Sequence, residues 1–297
     1  MNIIITGVCG VIGSRLHNIL TKNYPKATVW GYDKKLNDNA DLSTFEGLLL
    51  LDNLAKSIVD VDDNPAVDIL VHLAESKGSS ISKEQADTNI QALEHAIQVA
   101  KSSNVKRFVY VSTCIYTTAN NPYYEAKQKA ENLLQESGLE YTVVRSNTLL
   151  DDVTYQDIGT STLLTNILQA SSQGSPFTQY GNPMVTFTRL SNFLSLLVQA
   201  LFEPKYRNVT MQPIGDIRLD LSTFVKVIIQ VFVSRMVNPY FVKFPVVQER
   251  IKDIDRRLGI PLKPSNVGYL VSVLSAMQLY YVEAKRKEAQ ESTVDEV

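Results

Sequence analysis

The chemistry in this sequence gathers around a tyrosine–lysine pair and a glycine loop. Tyr123 and Lys127 stand four residues apart in a stretch of helical character and so share one helix face. An ammonium beside a phenol lowers the phenol's pKa and lets its oxygen act as a general base near neutrality. Ser112 and Thr113 end an apolar run just upstream, where a hydroxyl can hold a substrate oxygen in line with the tyrosine. Near the N-terminus Gly7, Gly10 and Gly13 recur at every third position, directly after the β-branched run Ile3–Ile5. A helical pattern of Ile12, Leu16, Ile19 and Leu20 follows. Strand, glycine loop and helix in succession suit a dinucleotide pyrophosphate. The glycines permit a tight turn and close backbone approach, and the helix N-terminus offsets the phosphate charge.

Acidic residues at strand ends extend this reading. Asp33 closes the apolar segment Thr28–Tyr32, twenty residues beyond Gly13. A carboxylate there accepts hydrogen bonds from an adenosine ribose and repels a 2′-phosphate, which favours NAD over NADP. Lys34 and Lys35 beside it soften that preference, so NADP stays open. Asp52 follows the apolar run Leu48–Leu51, read as a further strand, and is assigned to the adenine edge, with Asp41 as its competitor. A second pair with the same spacing, Tyr281 and Lys285, has no strand end with hydroxyls before it and is set aside.

The elements that must position these residues alternate. Strands are expected at Ile3–Ile5, Thr28–Tyr32, Leu48–Leu51, Val67–Ala74, Phe108–Ser112 and Tyr141–Arg145, with helices over Asn89–Ser103 and Tyr124–Glu136. Strands separated by helices indicate right-handed βαβ units, hence an α/β fold with a doubly wound, Rossmann-like parallel sheet. After Arg145 the rhythm loosens. A strand near Val185, a helix over Leu190–Phe202 and a short strand over Asn208–Pro213 are expected, with further helices near Ser161–Ala170, from Ser222, and near Val267–Val282. The division expected is 1–150 for the dinucleotide-binding domain and 151–297 for a smaller α+β substrate lobe. Some elements of that lobe return to the first sheet, and the charged tail 286–297 is disordered. The stripe Phe224, Val227, Ile228 and Val231 reads as core or as a homodimer face.

Composition narrows the partners. A net charge of -2 over 297 residues gives no electrostatic case for nucleic acid or an anionic membrane surface. No apolar stretch is long enough to span a bilayer, since Lys226, Gln230 and Arg235 interrupt Phe224–Val237. Two cysteines, Cys9 and Cys114, and a first strand without a preceding basic segment predict a cytoplasmic protein. His17, His72 and His95 lie far apart with no ligand spacing, so no metal is expected.

Taken together, TGVCGVIG (6–13), Asp33, VDILVHLAE (67–75), the helix opening Asn89-Ile90-Gln91, NVKRFVYVST (104–113) and YYEAKQKAENLL (123–134) run in the order of a known family. Over its first half the chain resembles the extended short-chain dehydrogenase/reductases of the NAD-dependent epimerase/dehydratase type. The resemblance implies NAD(P) held by Gly7, Gly10, Val11, Ile12, Gly13, Asp33, Asp52, Asn53, Leu73, Ala74, Tyr123 and Lys127. Lys77 falls where some epimerases place a cofactor-contacting lysine, and Asn89 fills the family's helix asparagine position. It further implies Tyr123 as base, Ser112 or Thr113 as its hydroxyl partner, and Lys127 as the group that tunes Tyr123 and binds the nicotinamide ribose. Counting back from Tyr116 favours Ser112. The substrate implied is a small molecule, a nucleotide sugar.

Departures from the family pattern keep two other readings open. Only six residues separate Tyr116 from Tyr123, where many sugar-nucleotide enzymes carry a longer loop. The strand near Val185 lacks the arginine that commonly grips a substrate diphosphate. A reductase or dehydrogenase of a non-sugar carbonyl or alcohol, and a non-catalytic NAD(P) sensor, are the alternatives.

Overall fold

β1 (Asn2–Thr6) is buried along its whole length, as a strand of consecutive β-branched residues must be when both its faces are covered. The structure is a computed structural model and describes residues 1–61, 67–75, 81–114, 121–150, 184–213 and 215–220. After β1 come α1 (Val11–Asn23), β2 (Thr28–Tyr32), α2 (Phe45–Val61), β3 (Ile69–His72) and α3 (Lys83–Ser102). Then follow β4 (Arg107–Thr113), α4 (Pro122–Glu136), β5 (Tyr141–Ser146) and β6 (Thr148–Leu150). The later elements are β7 (Met184–Arg189), α5 (Leu190–Phe202), a 3₁₀ turn at Pro204–Tyr206, β8 (Val209–Met211) and β9 (Ile217–Asp220).

The chain forms two compact units, Met1–Asn147 with Asn192–Pro213, and Thr148–Ser191 with Ile214–Val297. In the first, six parallel strands lie in the order β2-β1-β3-β4-β5-β8. This is the Rossmann-like α/β sheet expected, and β8 is an element from beyond residue 150 that returns to it. The order turns at β1: the chain leaves on one side for β2 and comes back on the other for β3. The crevice at such a switch point is where open α/β sheets bind ligands. In the second unit β6 runs parallel to β7, and β7 runs antiparallel to β9.

One element departs from expectation. Leu48–Leu51 is not a strand but part of α2, whose buried residues Leu48, Leu51, Ala55 and Ile58 follow helical spacing against β3 and α3. A short unbroken apolar run carries no period of its own, and here the residues beyond it decide. Asp52 therefore sits inside a helix rather than at a strand end.

Two local devices place the chemistry. Ser82 and Gln85 close a capping box that starts α3 and fixes the helix bearing Asn89. At α4 the Asn121 side chain accepts the Tyr123 N–H at 3.0 Å, and Pro122 occupies the first helical position. Tyr123 thus lies in the first turn and Lys127 one turn later, above the buried stripe of Ala130 and Leu134. Among the described residues no helix is long and apolar enough to cross a membrane. The helices expected near 161–170, from 222 and near 267–282, the stripe from Phe224 and the charged tail all lie outside the described residues.

Candidate active site

The glycine loop is wedged between the ends of β2 and β3. Gly7 holds φ at +74°, a left-handed conformation that favours glycine, and donates its N–H to Tyr32 O at 2.8 Å. A Cβ on Gly7 would stand 2.7 Å from the Leu73 carbonyl carbon, and one on Gly13 would stand 2.3 Å from Gly7 O. Asp33 reaches back into this loop: Oδ2 accepts the Cys9 N–H and Oδ1 the Lys35 N–H, each at 2.9 Å. No side chain caps α1 at Gly10 and no acid stands in its first turn, so the leading amides of Val11, Ile12 and Gly13 and the positive end of the dipole are available to an anion. Gly7, Gly10, Val11, Ile12, Gly13, Asp33, Leu73 and Ala74 are thus brought together around one crevice. A loop drawn so tight that Gly7 and Gly13 leave no room for a Cβ, ahead of an uncapped helix start, fits a dinucleotide phosphate.

Asp52 and Asn53 are not part of it. Asp52 binds Lys56 Nζ at 2.5 Å and accepts the Ser102 hydroxyl at 3.1 Å, and Asn53 is exposed on the same helix. Ser102 ends α3 where the chain turns toward the start of β4, at the end of the strands opposite the glycine loop. Asp41, by contrast, lies in the segment after β2. It accepts Ser43 N–H and Oγ at 3.1 and 2.8 Å, with Lys34 Nζ at 3.5 Å, and these donors hold its carboxyl below the usual range against the opposing effect of burial. The competitor thus lies beside Lys34, the residue that follows the Asp33 reaching into the loop.

The tyrosine–lysine pair sits beyond β3. Lys127 Nζ donates to the Glu75 carboxylate and, at 2.8 Å, to Val111 O. It lies 4.7 Å from the ring centre of Tyr110 and 5.8 Å from that of Tyr123. The Tyr110 hydroxyl donates to the other Glu75 oxygen at 2.6 Å. Burial raises the Tyr123 phenol pKa and Glu75 adds to the rise, while the Lys127 charge and a hydrogen bond from Thr113 oppose it. Tyr110 is pushed well above the ordinary tyrosine value, first by burial and then by the Glu75 charge. Glu75, Asn89, Tyr110, Tyr123 and Lys127 line one small cavity, and Asn89 is buried there.

Thr113, not the favoured Ser112, lies on the Tyr123 side of β4: its hydroxyl, which donates to Ser146 O at 3.5 Å, is near enough to lower the Tyr123 pKa. Neighbouring residues of a strand face opposite sides, so only one of the two can do so. Ser112 is buried, and its Oγ has no hydrogen-bond partner among the described residues. Lys77 lies outside the described residues. Glu75 and Tyr110 were not singled out by sequence reasoning. The available signals were an acid closing the apolar run VDILVHLAE and a tyrosine two residues before Ser112 in the same strand. Among the described residues no group of three or more His, Cys, Asp or Glu side chains is placed to hold a metal ion.

Known proteins share the fold of this chain. A relative from Bacillus subtilis (strain 168), described as an uncharacterized sugar epimerase, YhfK, is 28% identical over 159 residues, covering 51% of this chain and 74% of its own. The UDP-glucose 4-epimerase of Thermotoga maritima, solved with UDP-glucose, superposes with a TM-score of 0.55 at 19% identity, over 78% of this chain and 82% of its own. The Bordetella bronchiseptica enzyme WbmH, solved with NAD+, gives a TM-score of 0.55 at 17% identity, over 78% of this chain and 81% of its own. At such identities the likeness to the solved structures is one of fold. The profile of the NAD(P)H-binding family matches residues 7–169, from the second residue of the glycine loop to beyond β6. The chain belongs to that NAD(P)H-binding family, and its first unit has the Rossmann-like fold of the NAD-dependent epimerases and dehydratases.

Proposed function

We propose that the protein is an NAD(P)-dependent enzyme of the epimerase/dehydratase type that acts on a nucleotide sugar, with Tyr123 as its proton-transfer group. The observation that carries this is the clustering of Tyr123, Lys127 and Thr113 in the same unit as a glycine cradle built for a dinucleotide. The bound cofactor supplies a hydride acceptor and donor. Tyr123 Oη takes the proton of a substrate hydroxyl as the carbinol carbon gives up its hydride, and returns it in the reverse step. Thr113 steadies Tyr123 Oη and the substrate oxygen. Lys127 supplies the cation that favours the phenolate, and in this reading it reaches the nicotinamide ribose. The glycine loop, Asp33, Leu73 and Ala74 hold the dinucleotide, with Asp41 on the adenine side. The sugar assignment draws on the sugar-epimerase relative and on the fold shared with a UDP-glucose epimerase. Two free cysteines, Cys9 and Cys114, accord with a cytoplasmic setting.

Tyr123→Phe removes only the reacting oxygen. This variant should bind NAD as the wild type does and lose turnover on any nucleotide sugar that raises the melting temperature in the presence of NAD. Failure of wild-type protein to bind either NAD or NADP in calorimetry refutes the cofactor reading. Binding of NAD with no stabilisation by a panel of nucleotide sugars refutes the sugar assignment. A non-catalytic NAD(P) sensor is the second reading, favoured by one observation: Glu75 takes up the Lys127 charge that would otherwise activate Tyr123. Turnover that disappears in Tyr123→Phe decides against the sensor.

A further inference from the structure

A buried acid stands where the tyrosine–lysine pair alone would be expected to set the chemistry. The Glu75 side chain is 14% exposed and that of Lys127 only 5%, so the two charges meet largely out of water. One Glu75 oxygen is fastened by the Tyr110 hydroxyl at 2.6 Å, and the other takes the ammonium. The ammonium has three N–H groups. Glu75 and Val111 O take two of them, which leaves one for any ligand. Tyr110 in turn lies flat to the same ammonium at 4.7 Å, so carboxylate, phenol and lysine form a closed triangle beneath Tyr123.

We propose that Glu75 is a positioning residue that acts on Tyr123 through Lys127. Clamped by Tyr110, it fixes where the ammonium stands and shares its charge, and so weakens the pull of Lys127 toward the phenolate form of Tyr123. The inference rests on the reading of Tyr123 as the proton-transfer group. A phenol is the form that gives a proton to a carbonyl oxygen, so the resting site is set for the step in which Tyr123 donates. Among the described residues the charged and titratable groups that face Tyr123 are Lys127 and Tyr124 from α4, Glu75 after β3, and Tyr110 from β4. Thr113 from β4 adds its hydroxyl, and His72 lies behind Tyr110, buried and neutral. Of these, Glu75 is the anion whose removal changes the balance: its charge raises the Tyr123 pKa while Lys127 and Thr113 lower it.

The test is a titration of the cofactor-free full-length protein by its near-ultraviolet tyrosinate absorbance. Wild type minus Tyr123→Phe isolates the Tyr123 signal, and Glu75→Gln minus Glu75→Gln/Tyr123→Phe isolates it without the carboxylate. The Tyr123 signal should move to lower pH in Glu75→Gln. A signal that stays in place, or moves to higher pH, in a variant with wild-type far-ultraviolet dichroism overturns the proposal. Should Glu75→Gln fail to fold, Tyr110→Phe decides, since it keeps the charge and releases the clamp. A smaller displacement to lower pH is expected there, and no displacement overturns the proposal. Neither cofactor nor substrate enters this titration. An unmoved signal in protein that binds NAD therefore strikes the role of Glu75 alone, and a displaced signal in protein that binds no NAD strikes the enzymatic reading alone.

Discussion

Lys127→Met tests whether the ion pair inside the site is a unit. The substitution removes the ammonium and leaves Glu75, whose side chain is 14% exposed, as an anion held by Tyr110 alone. Breaking a buried pair by deleting one partner typically costs about 3–5 kcal/mol, because the remaining charge is uncompensated. The Tyr110 hydroxyl still serves Glu75 and the methionine refills much of the volume, so the lower end, about 3 kcal/mol, is expected. The Val111 carbonyl also loses its Lys127 donor, a loss that any Lys127 variant shares. The double variant Glu75→Gln/Lys127→Met removes both charges, keeps an acceptor for Tyr110, and should lie within about 1–2 kcal/mol of wild type. Urea unfolding at neutral pH measures this, read from midpoints at constant slope. A double variant as unstable as the sum of its two single variants refutes the pairing. So does a Lys127→Met that stays within about 0.5 kcal/mol of wild type, the range of an ordinary surface change.

Other perturbations separate the parts of the crevice. Gly13→Ala drives a Cβ to 2.3 Å from Gly7 O, so the loop must open, and calorimetry should show NAD affinity reduced at least tenfold, about 1.4 kcal/mol. Asp41→Ala should weaken NAD binding while Asp52→Ala leaves it unchanged; the opposite pattern restores Asp52 to the adenine edge. Burial holds the His72 imidazole down at about 4, against 6.5 for the group in the open. The unfolded chain therefore takes up its proton first as pH falls. The stability that the neutral ring contributes is complete above pH 6.5 and is lost on descent to about pH 4, by roughly 3 kcal/mol. Urea midpoints across that window should flatten in His72→Gln.

How legible the site was depended on how each residue is specified. The glycine loop could be read because Gly7 and Gly13 answer to backbone sterics, and a steric requirement selects one residue type at a fixed spacing. Asn121-Pro122, which starts α4 and sets the height of Tyr123, went unread: the helix was expected only from Tyr124, and the Asn121 cap shows itself once the fold is formed. Asp52 was misplaced because four consecutive leucines have no period, and only Ala55 and Ile58 further on show the turn of a helix. Ser112 against Thr113 is a question of strand face. Neighbouring hydroxyls of nearly equal chemistry differ only in which side of the sheet they meet, and the pleat decides that. Glu75 was invisible for another reason. Its partners Tyr110 and Lys127 are 35 and 52 residues away, and an acid after a strand reads as solvated until the fold brings those donors to it.

The two acids that flank the cradle share a property that bears on how the cofactor is held. Asp33 closes β2 with both oxygens already taken by the N–H groups of Cys9 and Lys35, and Glu75 follows β3 with its oxygens taken by Tyr110 and Lys127. A ribose hydroxyl that approaches either acid must use its remaining lone pairs or displace a protein donor. Such an exchange of hydrogen bonds contributes little net free energy, about 0.5–1.5 kcal/mol each at best. The leading amides of α1 are in a different condition, since no side chain caps them and a phosphate would satisfy donors that otherwise depend on water. Affinity for the dinucleotide should therefore rest on the pyrophosphate and the glycine loop more than on the acids. Asp33→Asn, which keeps one of the two acceptor oxygens, is expected to cost less in NAD affinity than Gly13→Ala in the same calorimetric titration. An Asp33→Asn variant that loses as much affinity as Gly13→Ala would show that the ribose contact, not the phosphate cradle, anchors the cofactor.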